Sequence, residues 1–271
     1  MPELPEVETT LRGLEPHLDG QVVADVIIRN AKLRWPIPDM LPALLQGQTI
    51  RNLQRRAKYL LIAFDHGILI LHLGMSGSLR ILTSPTIADK HEHFDLQLAN
   101  GKVMRLRDPR RFGAVLWHSG EIKSHTLFAK LGPEPLLDEF TTEYLYKATR
   151  KRRIPIKQFI MDSHVVVGVG NIYANEALFR SGIKPQLAAG KLSRARCDNL
   201  LNEIRATLHE AILQGGSSLR DYVDSDGKQG YFQQHYWVYA RANEACKRCG
   251  NPIKQIKQSQ RSSFYCSVCQ H

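Results

Sequence analysis

Hydrophobic residues in the first part of the chain change their spacing after residue 20. Over residues 6–18 they recur every three or four positions, which predicts an amphipathic helix that ends at Gly20. Beyond it, short apolar or alternating runs predict strands. The predicted strands cover residues 22–28, 49–56, 59–64, 67–73, 94–98, 103–107 and 113–117. This half is therefore predicted to be mostly antiparallel β, a sandwich with the helix packed alongside it.

Turn residues separate several of these strands. Asp65-His66-Gly67 predicts a turn between two of them, and Asn100-Gly101 ahead of the strand at 103–107 predicts a type I′ hairpin. Prolines at positions 36, 38 and 42 mark an irregular stretch.

The hydrophobic spacing of the second half is helical. It predicts one helix over residues 172–180 and a longer one over 193–214, with Ser193 as its cap and Cys197 in the core. Residues 215–230 form a polar loop with no clear strand. A loop of that length is usually a functional lid or a disordered segment.

The charge balance is strongly basic. Lys and Arg number 37 against 26 acidic residues, for a net charge of +11, and the pI is near 9.5. This favours a polyanionic partner, with nucleic acid first. An anionic membrane surface is the alternative, but no basic amphipathic helix stands out. The 271 residues, 43% of them hydrophobic, suffice for two or three domains, and no apolar run approaches the ~20 residues of a membrane span.

Four of the five cysteines form two CxxC pairs, Cys246 with Cys249 and Cys266 with Cys269. In a chain without a secretory signal this spacing predicts a metal rather than disulfides. Four thiolates complete a tetrahedral zinc site and leave no open position for catalysis. We therefore expect one structural Zn²⁺.

Three stretches of the second half suit phosphate groups. Residues 147–157 hold six basic residues and no acid; such a run is usually a solvated face, but in a chain this basic it favours phosphate contact. The glycines at 168–170 lead into a helix N-terminus, which favours an anion. A dinucleotide fingerprint is excluded, because the third glycine and the βαβ unit are absent. Between the cysteine pairs, residues 253–265 can form a hairpin with Arg261 near its tip, where a guanidinium is a natural phosphate contact.

The chain begins Met1-Pro2-Glu3-Leu4-Pro5-Glu6. Removal of Met1 leaves a proline with a free secondary amine, and an α-amino group is partly neutral and nucleophilic near pH ~8. Attack of a secondary amine on an aldehyde-like carbon gives a cationic iminium, an electron sink like a Schiff-base lysine, and Glu3 is placed to move a proton. The alternative is an ordinary processed terminus ahead of a capped helix, with Glu6 and Glu8 favoured at its positive end.

Three segments of the β half carry candidate DNA contacts. Lys58 is predicted to begin a strand, where it is either an edge charge that discourages aggregation or a phosphate or base contact. Met75 stands in a turn between glycines, where a core role is unfavourable. Arg110 and Phe112 stand in another turn. An apolar wedge beside an arginine suits a protein that holds open a gap in a base stack.

Six segments of this chain resemble the formamidopyrimidine-DNA glycosylases, bacterial repair enzymes that excise oxidised purines such as 8-oxoguanine. One such segment would be weak evidence, but six in the order of the family are highly specific. They are the first eight residues, RRAKYL at 55–60, HLGMSG at 72–77, DPRRFG at 108–113, GVGNIY at 168–173 and the four C-terminal cysteines.

The resemblance implies an α+β fold. It consists of an N-terminal β-sandwich with a flanking N-terminal helix, a helical helix–two-turns–helix domain and a C-terminal zinc-binding β-hairpin finger. We expect a catalytic sandwich domain over residues 1–120, a linker over 121–135, the helix–two-turns–helix domain with a lesion-capping loop over 136–230, and the zinc finger over 236–271. Family members often carry proline where this chain has Gln229, so its loop departs from the family pattern.

The resemblance also implies a role for each matching residue. The expected catalytic residues are Pro2, Glu3, Lys58 and Arg261. The expected DNA-binding residues are His91, Arg152, Asn171, Met75, Arg110 and Phe112. The last three fill the space left by a flipped nucleotide, and Arg110 reads the orphaned cytosine. The expected lesion pocket includes Glu6, Ser217 and Ser218, and the expected zinc ligands are Cys246, Cys249, Cys266 and Cys269.

The implied activity is bifunctional. Pro2 removes the oxidised purine through an iminium, and β,δ-elimination then cleaves the strand. We expect double-stranded damaged DNA as the partner, no membrane association, a monomer, and a cytoplasmic, nucleoid-associated location in a bacterium. The nearest alternative is an endonuclease VIII-like enzyme for oxidised pyrimidines, but those typically have glycine where this chain has Leu4. A non-catalytic zinc-finger regulator fits the charge and cysteines equally well, and the Pro2-Glu3 start and the Met75 turn argue against it.

Overall fold

The structure, a computed structural model, describes residues 1–84, 86–217 and 231–271. The chain divides into two compact units, called here the first and the second unit. The first comprises Met1–Ala129 with Gln214–Tyr231, and the second comprises Lys130–Leu213 with Phe232–His271. Among the described residues, the helices are all too short or too polar to span a bilayer.

The first unit is a β-sandwich with a helix against it, as predicted. Its elements are α1 (Leu4–Leu18), β1 (Val23–Ile28), α2 (Leu41–Leu45), β2 (Asn52–Arg56), β3 (Tyr59–Phe64), β4 (Gly67–His72), β5 (Ser78–Leu82), β6 (Glu92–Leu98), β7 (Val103–Arg107) and β8 (Ala114–His118). One antiparallel sheet has the strand order β1-β6-β7-β5 and the other β2-β3-β4-β8. Inward side chains of both sheets and one face of α1 share a single hydrophobic core, which holds the strand ends and their turns in place.

Helix α1 begins at Leu4, two residues earlier than the hydrophobic spacing predicts, because two carboxylates cap it. The Glu6 side chain accepts a hydrogen bond from Glu3 N–H at 2.7 Å, and the Glu3 side chain accepts one from Glu6 N–H. The chain leaves the helix at Gly20, where φ is +69°, a conformation that glycine adopts without steric cost. Pro2 therefore stands directly in front of a helix that is fixed to the core.

Three features of the first unit differ from the prediction. The β6–β7 hairpin forms, but its turn is not type I′, which needs positive φ at both central residues. Gly101 has a positive φ of +84°, but the φ of Asn100 is not positive. Gly101 N–H donates to Leu98 O at 2.9 Å. The proline-rich stretch contains the one-turn helix α2. Strand β5, only five residues long, is not among the predicted strands.

The second unit is built from helices and one hairpin. The elements are α3 (Thr142–Thr149), α4 (Ile156–Ile160), α5 (Asn171–Arg180), α6 (Arg194–Leu213), β9 (Lys254–Gln258) and β10 (Arg261–Tyr265). The predicted helices α5 and α6 and the predicted hairpin are all present, and Ser193 caps α6 by accepting from Arg196 N–H at 3.2 Å. Cys197 is fully buried, as expected for a core residue. Helices α3 and α4 are not among the predicted elements, because they are only eight and five residues long.

Candidate catalytic and DNA-binding site

The N-terminal residues form a buried polar cluster in the first unit. Pro2 is buried, and Glu3 and Glu6 are only 3% and 2% exposed. One Glu6 oxygen accepts from Glu3 N–H and the other from Ser217 N–H, each at 2.7 Å. Gly216 makes this possible, because its φ is +79° and a Cβ there would stand 3.0 Å from the Glu6 carboxylate. The structure thus brings together four of the residues predicted from the sequence.

Part of the predicted site lies outside the described residues. This holds for Ser218, for Gln229 and for nearly all of the predicted lid at 215–230.

Lys58 lies in the two-residue turn between β2 and β3, not at the start of the strand as predicted, because Arg56 pairs with Tyr59 across that hairpin. Ala57, the other turn residue, has φ +55°, a position that favours glycine. Arg55 supports this turn: its Nη1 donates to Ala57 O at 3.0 Å, and its Nε donates to Glu8 on α1 at 2.9 Å. The helix that carries Pro2 and the turn that carries Lys58 are therefore tied to each other.

Two residues near Lys58 are missed by the sequence analysis. Burial lowers the pKa of His72 to about 4, and the positive charges of Lys58 and Arg34 act in the same direction. His72 is therefore neutral at cell pH. Its Nδ1 accepts from Gly74 N–H at 3.0 Å, which places the ring proton on Nε2 and makes that nitrogen a donor. The position of His72 at the end of the apolar run at 68–71 is a local signal that could have indicated a site residue. Arg34 gives no such signal, because it comes near His72 only when the chain has folded.

The two predicted wedge turns pack backbone against backbone. Met75 and Phe112 are 41% and 46% exposed although both are large and apolar, so neither is a core residue. The Arg110 guanidinium carbon lies 5.0 Å from the centre of the Phe112 ring. A Cβ on Gly74 would stand 2.4 Å from the Phe112 carbonyl carbon, so only glycine permits this approach. His91 lies in the same region, because its carbonyl accepts from Asp108 N–H at 2.9 Å.

The second unit carries two of the predicted DNA-binding residues, Arg152 and Asn171. Arg152 is exposed in the loop between α3 and α4, where its carbonyl accepts from Gly190 N–H at 2.8 Å. Asn171 is the first residue of α5. Its Oδ1 is buried and has no hydrogen-bond partner among the described residues. A phosphate oxygen can only accept hydrogen bonds, so the amide must present its NH₂ group to contact one. A 180° rotation of the Asn171 amide exchanges the positions of Oδ1 and the NH₂ group.

Arg261 is the first residue of β10 and pairs with Gln258 across the hairpin, so it stands near the tip, as predicted. It borders a cavity of about 280 Å³ between α4 and the hairpin. Lys157 on α4 is almost fully buried, and its Nζ donates to Ser262 O at 2.8 Å and Ser263 Oγ at 2.7 Å. The cavity is lined by Lys157, Gln158, Met161, Asp162, Gln258, Ser259 and Arg261.

The four predicted zinc ligands converge. All four sulfur atoms lie within 4.8 Å of one another. Cys246 Sγ is 3.9 Å from Cys269 Sγ, and Cys249 Sγ is 3.5 Å from Cys266 Sγ. These distances are too long for disulfides. Zn–S bonds of ~2.3 Å in a tetrahedron would place sulfurs roughly 3.8 Å apart, so the cluster fits one structural zinc with no open position.

Helix α5 supports the finger through buried polar contacts that the sequence does not reveal. The Glu176 carboxylate accepts from the backbone N–H groups of Trp237, Val238 and Tyr239 at 2.8 to 3.0 Å. Burial raises the pKa of this carboxyl group, and the three hydrogen bonds oppose that shift. One residue earlier, Asn175 Oδ1 accepts from Phe264 N–H of β10 at 2.7 Å.

Comparison with known families covers most of the chain. The formamidopyrimidine-DNA glycosylase N-terminal domain matches residues 1–115, the H2TH domain of the same enzymes matches residues 131–223, and the zinc finger found in FPG and IleRS matches residues 243–271.

Individual relatives span the whole length. A formamidopyrimidine-DNA glycosylase of Thioalkalivibrio sulfidiphilus is 58% identical over 270 residues and one of Cellvibrio japonicus is 55% identical, each covering 100% of both chains. Lactococcus lactis Fpg in complex with DNA containing an abasic site has a TM-score of 0.92 and 33% identity over 99% of both chains. The MutM (FPG) protein of Thermus thermophilus has a TM-score of 0.88 and 36% identity over 99% of this chain and 98% of that one.

Proposed function

This chain belongs to the formamidopyrimidine-DNA glycosylase family, and we propose that it is a bifunctional DNA glycosylase and AP lyase that removes oxidised purines such as 8-oxoguanine and formamidopyrimidines from duplex DNA. The observation that carries the proposal is the buried cluster at the N-terminus. Pro2 stands ahead of a helix cap whose Glu6 is bonded both to Glu3 and to Ser217. An amine, a proton carrier and Ser217 of the loop that begins at residue 215 are thereby held in one place.

Base removal begins when loss of the exposed Met1 frees the Pro2 amine. Its nitrogen attacks C1′ of the damaged nucleotide, the bond from C1′ to the base breaks, and the base leaves with that electron pair and takes up a proton. The amine loses its own proton. The bond from C1′ to O4′ then opens as Glu3 protonates O4′. The product is a cationic iminium between Pro2 and C1′.

Strand cleavage follows from the positive charge of this iminium. The charge acidifies C2′, and loss of a C2′ proton gives a neutral enamine. The enamine electrons then form the C2′–C3′ double bond, the C3′–O bond breaks to release the 3′ phosphate, and the iminium is regenerated. Loss of a second proton, from C4′, expels the 5′ phosphate. Arg261 stabilises the departing phosphate through its fork of N–H donors. Hydrolysis of the iminium frees Pro2 and leaves a one-nucleoside gap.

Lys58 contacts the DNA backbone beside the amine. Its turn is tied to α1 through Arg55 and Glu8, so its position relative to Pro2 is fixed. Arg34 adds a positive charge to the same surface, and the neutral His72 adds an N–H donor. A phosphate oxygen accepts from both kinds of group.

The base must leave the stack to reach Pro2, and the wedge turns hold open the gap it leaves. Met75 and Phe112 are large, apolar and exposed, the properties that a filler of an emptied stack needs. Arg110 reads the cytosine of the opposite strand, and His91 also contacts the DNA. Glu6 and Ser217 line the pocket for the extruded base.

The second unit supplies DNA affinity. Arg152, Asn171 and Arg261 contact phosphates, and the zinc that Cys246, Cys249, Cys266 and Cys269 hold keeps the hairpin folded. The enzyme acts as a monomer in the bacterial cytoplasm.

Product analysis tests this function. The purified protein is incubated with a duplex that carries one 8-oxoguanine opposite cytosine, and both the free base and the strand ends are identified. The expected products are 8-oxoguanine and a one-nucleoside gap with phosphate at both ends. Release of an oxidised pyrimidine but no 8-oxoguanine from matched duplexes would overturn the assigned substrate class, and an intact strand would overturn the lyase step.

A further inference from the structure

Asp108 is a buried carboxylate between the two wedge turns. Its side chain is 0% exposed. One oxygen accepts from Ser76 Oγ–H at 3.1 Å, and the other accepts from Gly113 N–H at 2.7 Å. Ser76 belongs to the Met75 turn and Gly113 follows Phe112, so a single carboxylate bridges both turns. A buried carboxylate is costly without such donors, which makes the arrangement a specific one.

The backbone of Asp108 joins a third segment to the same point. Its N–H donates to His91 O at 2.9 Å, and its carbonyl lies 2.9 Å from Nε2 of the buried His93 and accepts from Arg111 N–H at 3.2 Å. The neighbours of these partners are the predicted gap residues. Met75 adjoins Ser76, Phe112 adjoins Gly113, Arg110 adjoins Arg111, and His91 is itself a partner.

Steric fit leaves the turns little freedom. Gly74 meets the backbone of Phe112 so closely that any Cβ would overlap it. Gly113 faces Asp108, with its Cβ position 2.9 Å from a carboxylate oxygen. Arg111 has φ +56°, a conformation that persists only where its surroundings impose it.

We propose that Ser76 and Asp108 are positioning residues that join the Met75 turn and the Arg110–Phe112 turn into one preformed wedge. The proposal rests on the wedge function given above. Met75 has a flexible side chain, and it can resist restacking of the DNA only from a backbone that is already fixed. If the two turns are already ordered in the free protein, binding DNA does not incur the cost of ordering them. The Ser76–Asp108 contact therefore acts on the extruded state of the nucleotide rather than on the amine.

Ser76→Ala is the sharpest variant, because it removes the bond between the turns and leaves the bond from Gly113 to Asp108. Ser78→Ala is the matched control, since Ser78 is also buried, at 4% exposure, two residues further on in β5. Single-turnover excision of 8-oxoguanine from duplex DNA should fall roughly tenfold in Ser76→Ala, opposite cytosine and adenine alike, as for loss of one hydrogen bond to a carboxylate. It should stay at the wild-type rate in Ser78→Ala.

Two further experiments distinguish a positioning role of Ser76 from a general loss of folding or activity. If Ser76 acts through Met75, the double variant Ser76→Ala/Met75→Ala should be no slower than Met75→Ala alone. Borohydride trapping on an abasic site in single-stranded DNA needs no wedge, so it should be unchanged in Ser76→Ala. Asp108→Asn, which loses an acceptor facing one of the two turns, should slow duplex excision and also reduce the preference for cytosine.

Each contrary result has a distinct meaning. Wild-type duplex rates in Ser76→Ala, or losses that multiply in the double variant, would overturn the positioning role. Equal losses on single-stranded and duplex DNA would also overturn it, since the defect would then lie in folding or in the amine chemistry. Wild-type rates in Met75→Ala would refute the wedge itself, and failure of the unaltered protein to trap any abasic site would refute the proposed function.

Discussion

The two units support their proposed site residues by different means. In the first unit a large core shared by two sheets and α1 fixes the strand ends, and the turns that carry Lys58, Met75 and Arg110 extend from them. In the second unit the finger has only a small apolar cluster, which includes Phe179 and Phe264 together with two of the zinc-ligating cysteines. A module with so little core needs a metal or another cross-link to stay folded.

Buried polar contacts supply the remaining support of the finger. Glu176 accepts three backbone hydrogen bonds from the segment before it, Asn175 accepts one from Phe264, and Lys157 donates two to β10. Such contacts are directional, so they set a precise position for Arg261 with little apolar area. They are also vulnerable, because loss of one partner leaves the other buried and unsatisfied. Loss of a single contact should therefore lower the unfolding free energy of the finger more than that of the first unit.

Loss of a zinc ligand should have the largest effect. Structural zinc contributes ~10 kcal/mol or more to the folding of such modules, so Cys249→Ser should lose the metal and weaken duplex binding by at least roughly 100-fold. Elemental analysis and a binding titration measure both. Cys197→Ser, which alters the buried cysteine of α6, should keep one zinc per chain and normal affinity. A metal-free Cys249→Ser protein with full affinity would show that the finger does not need its metal.

Acid should destabilise the first unit through His72. Its pKa is about 4 in the folded protein against an ordinary value of 6.5. The unfolded chain therefore binds more protons between those values, and stability falls as the pH drops from about 6.5 to about 4. At about 1.4 kcal/mol per pKa unit the loss is roughly 3 kcal/mol.

Urea denaturation across this pH range tests the His72 contribution. His72→Asn should show a shallower loss of unfolding free energy than the wild type over this window, whereas the control His66→Asn, in the exposed β3–β4 turn, should follow the wild type. Identical pH dependence in His72→Asn and the wild type would contradict the account.

Mutations in the first unit should distinguish base recognition by Arg110 from gap filling by Met75. The Arg110 donors suit the acceptors of an orphaned cytosine but not the corresponding edge of adenine, a discrimination of ~1–3 kcal/mol for a good bidentate contact. Arg110→Ala should narrow the preference for 8-oxoguanine opposite cytosine. Met75→Ala should slow excision opposite both bases, because restacking then competes. Single-turnover excision rates of both variants on both duplexes test these roles. If Met75→Ala changes the cytosine preference and Arg110→Ala does not, the two roles are exchanged.

The smallest effect is expected from one phosphate contact in the second unit. Arg152→Ala should reduce the slope of log affinity against log salt by about 1 and weaken all duplexes alike. Arg194→Ala is a charge-matched control, since Arg194 is exposed and paired with Glu143 at 3.3 Å, and its slope should match the wild type. If lesion preference changes in Arg152→Ala while the slope does not, Arg152 reads bases instead.

The sequence predicts the repetitive parts of this molecule well. The hydrophobic pattern indicates most strands and the helices α1 and α6, each of which buries one face. It does not indicate β5, α3 or α4, which are only five to eight residues long. It also misplaces Lys58, because the Arg56–Tyr59 register that puts it in a turn is set by strand pairing.

The site shows the same division. Motifs mark Pro2, Met75, Arg110 and the cysteines, because their chemistry depends on local residue types. The contacts that position them are not indicated by the sequence. Asp108 bonds a serine 32 residues away, and Glu6 bonds a backbone N–H 211 residues away. Such contacts exist only once the chain has folded, so no local pattern records them.

Covalent trapping is the most direct test of the central claim, that the Pro2 amine performs the chemistry. Borohydride should convert the complex with an 8-oxoguanine duplex into a stable cross-link, and mass spectrometry should locate it on the N-terminal peptide. A chain extended at its N-terminus, in which Pro2 has no free amine, should give no cross-link while still binding the duplex. Equal trapping by the extended chain, or a cross-link located on Lys58, would contradict the account.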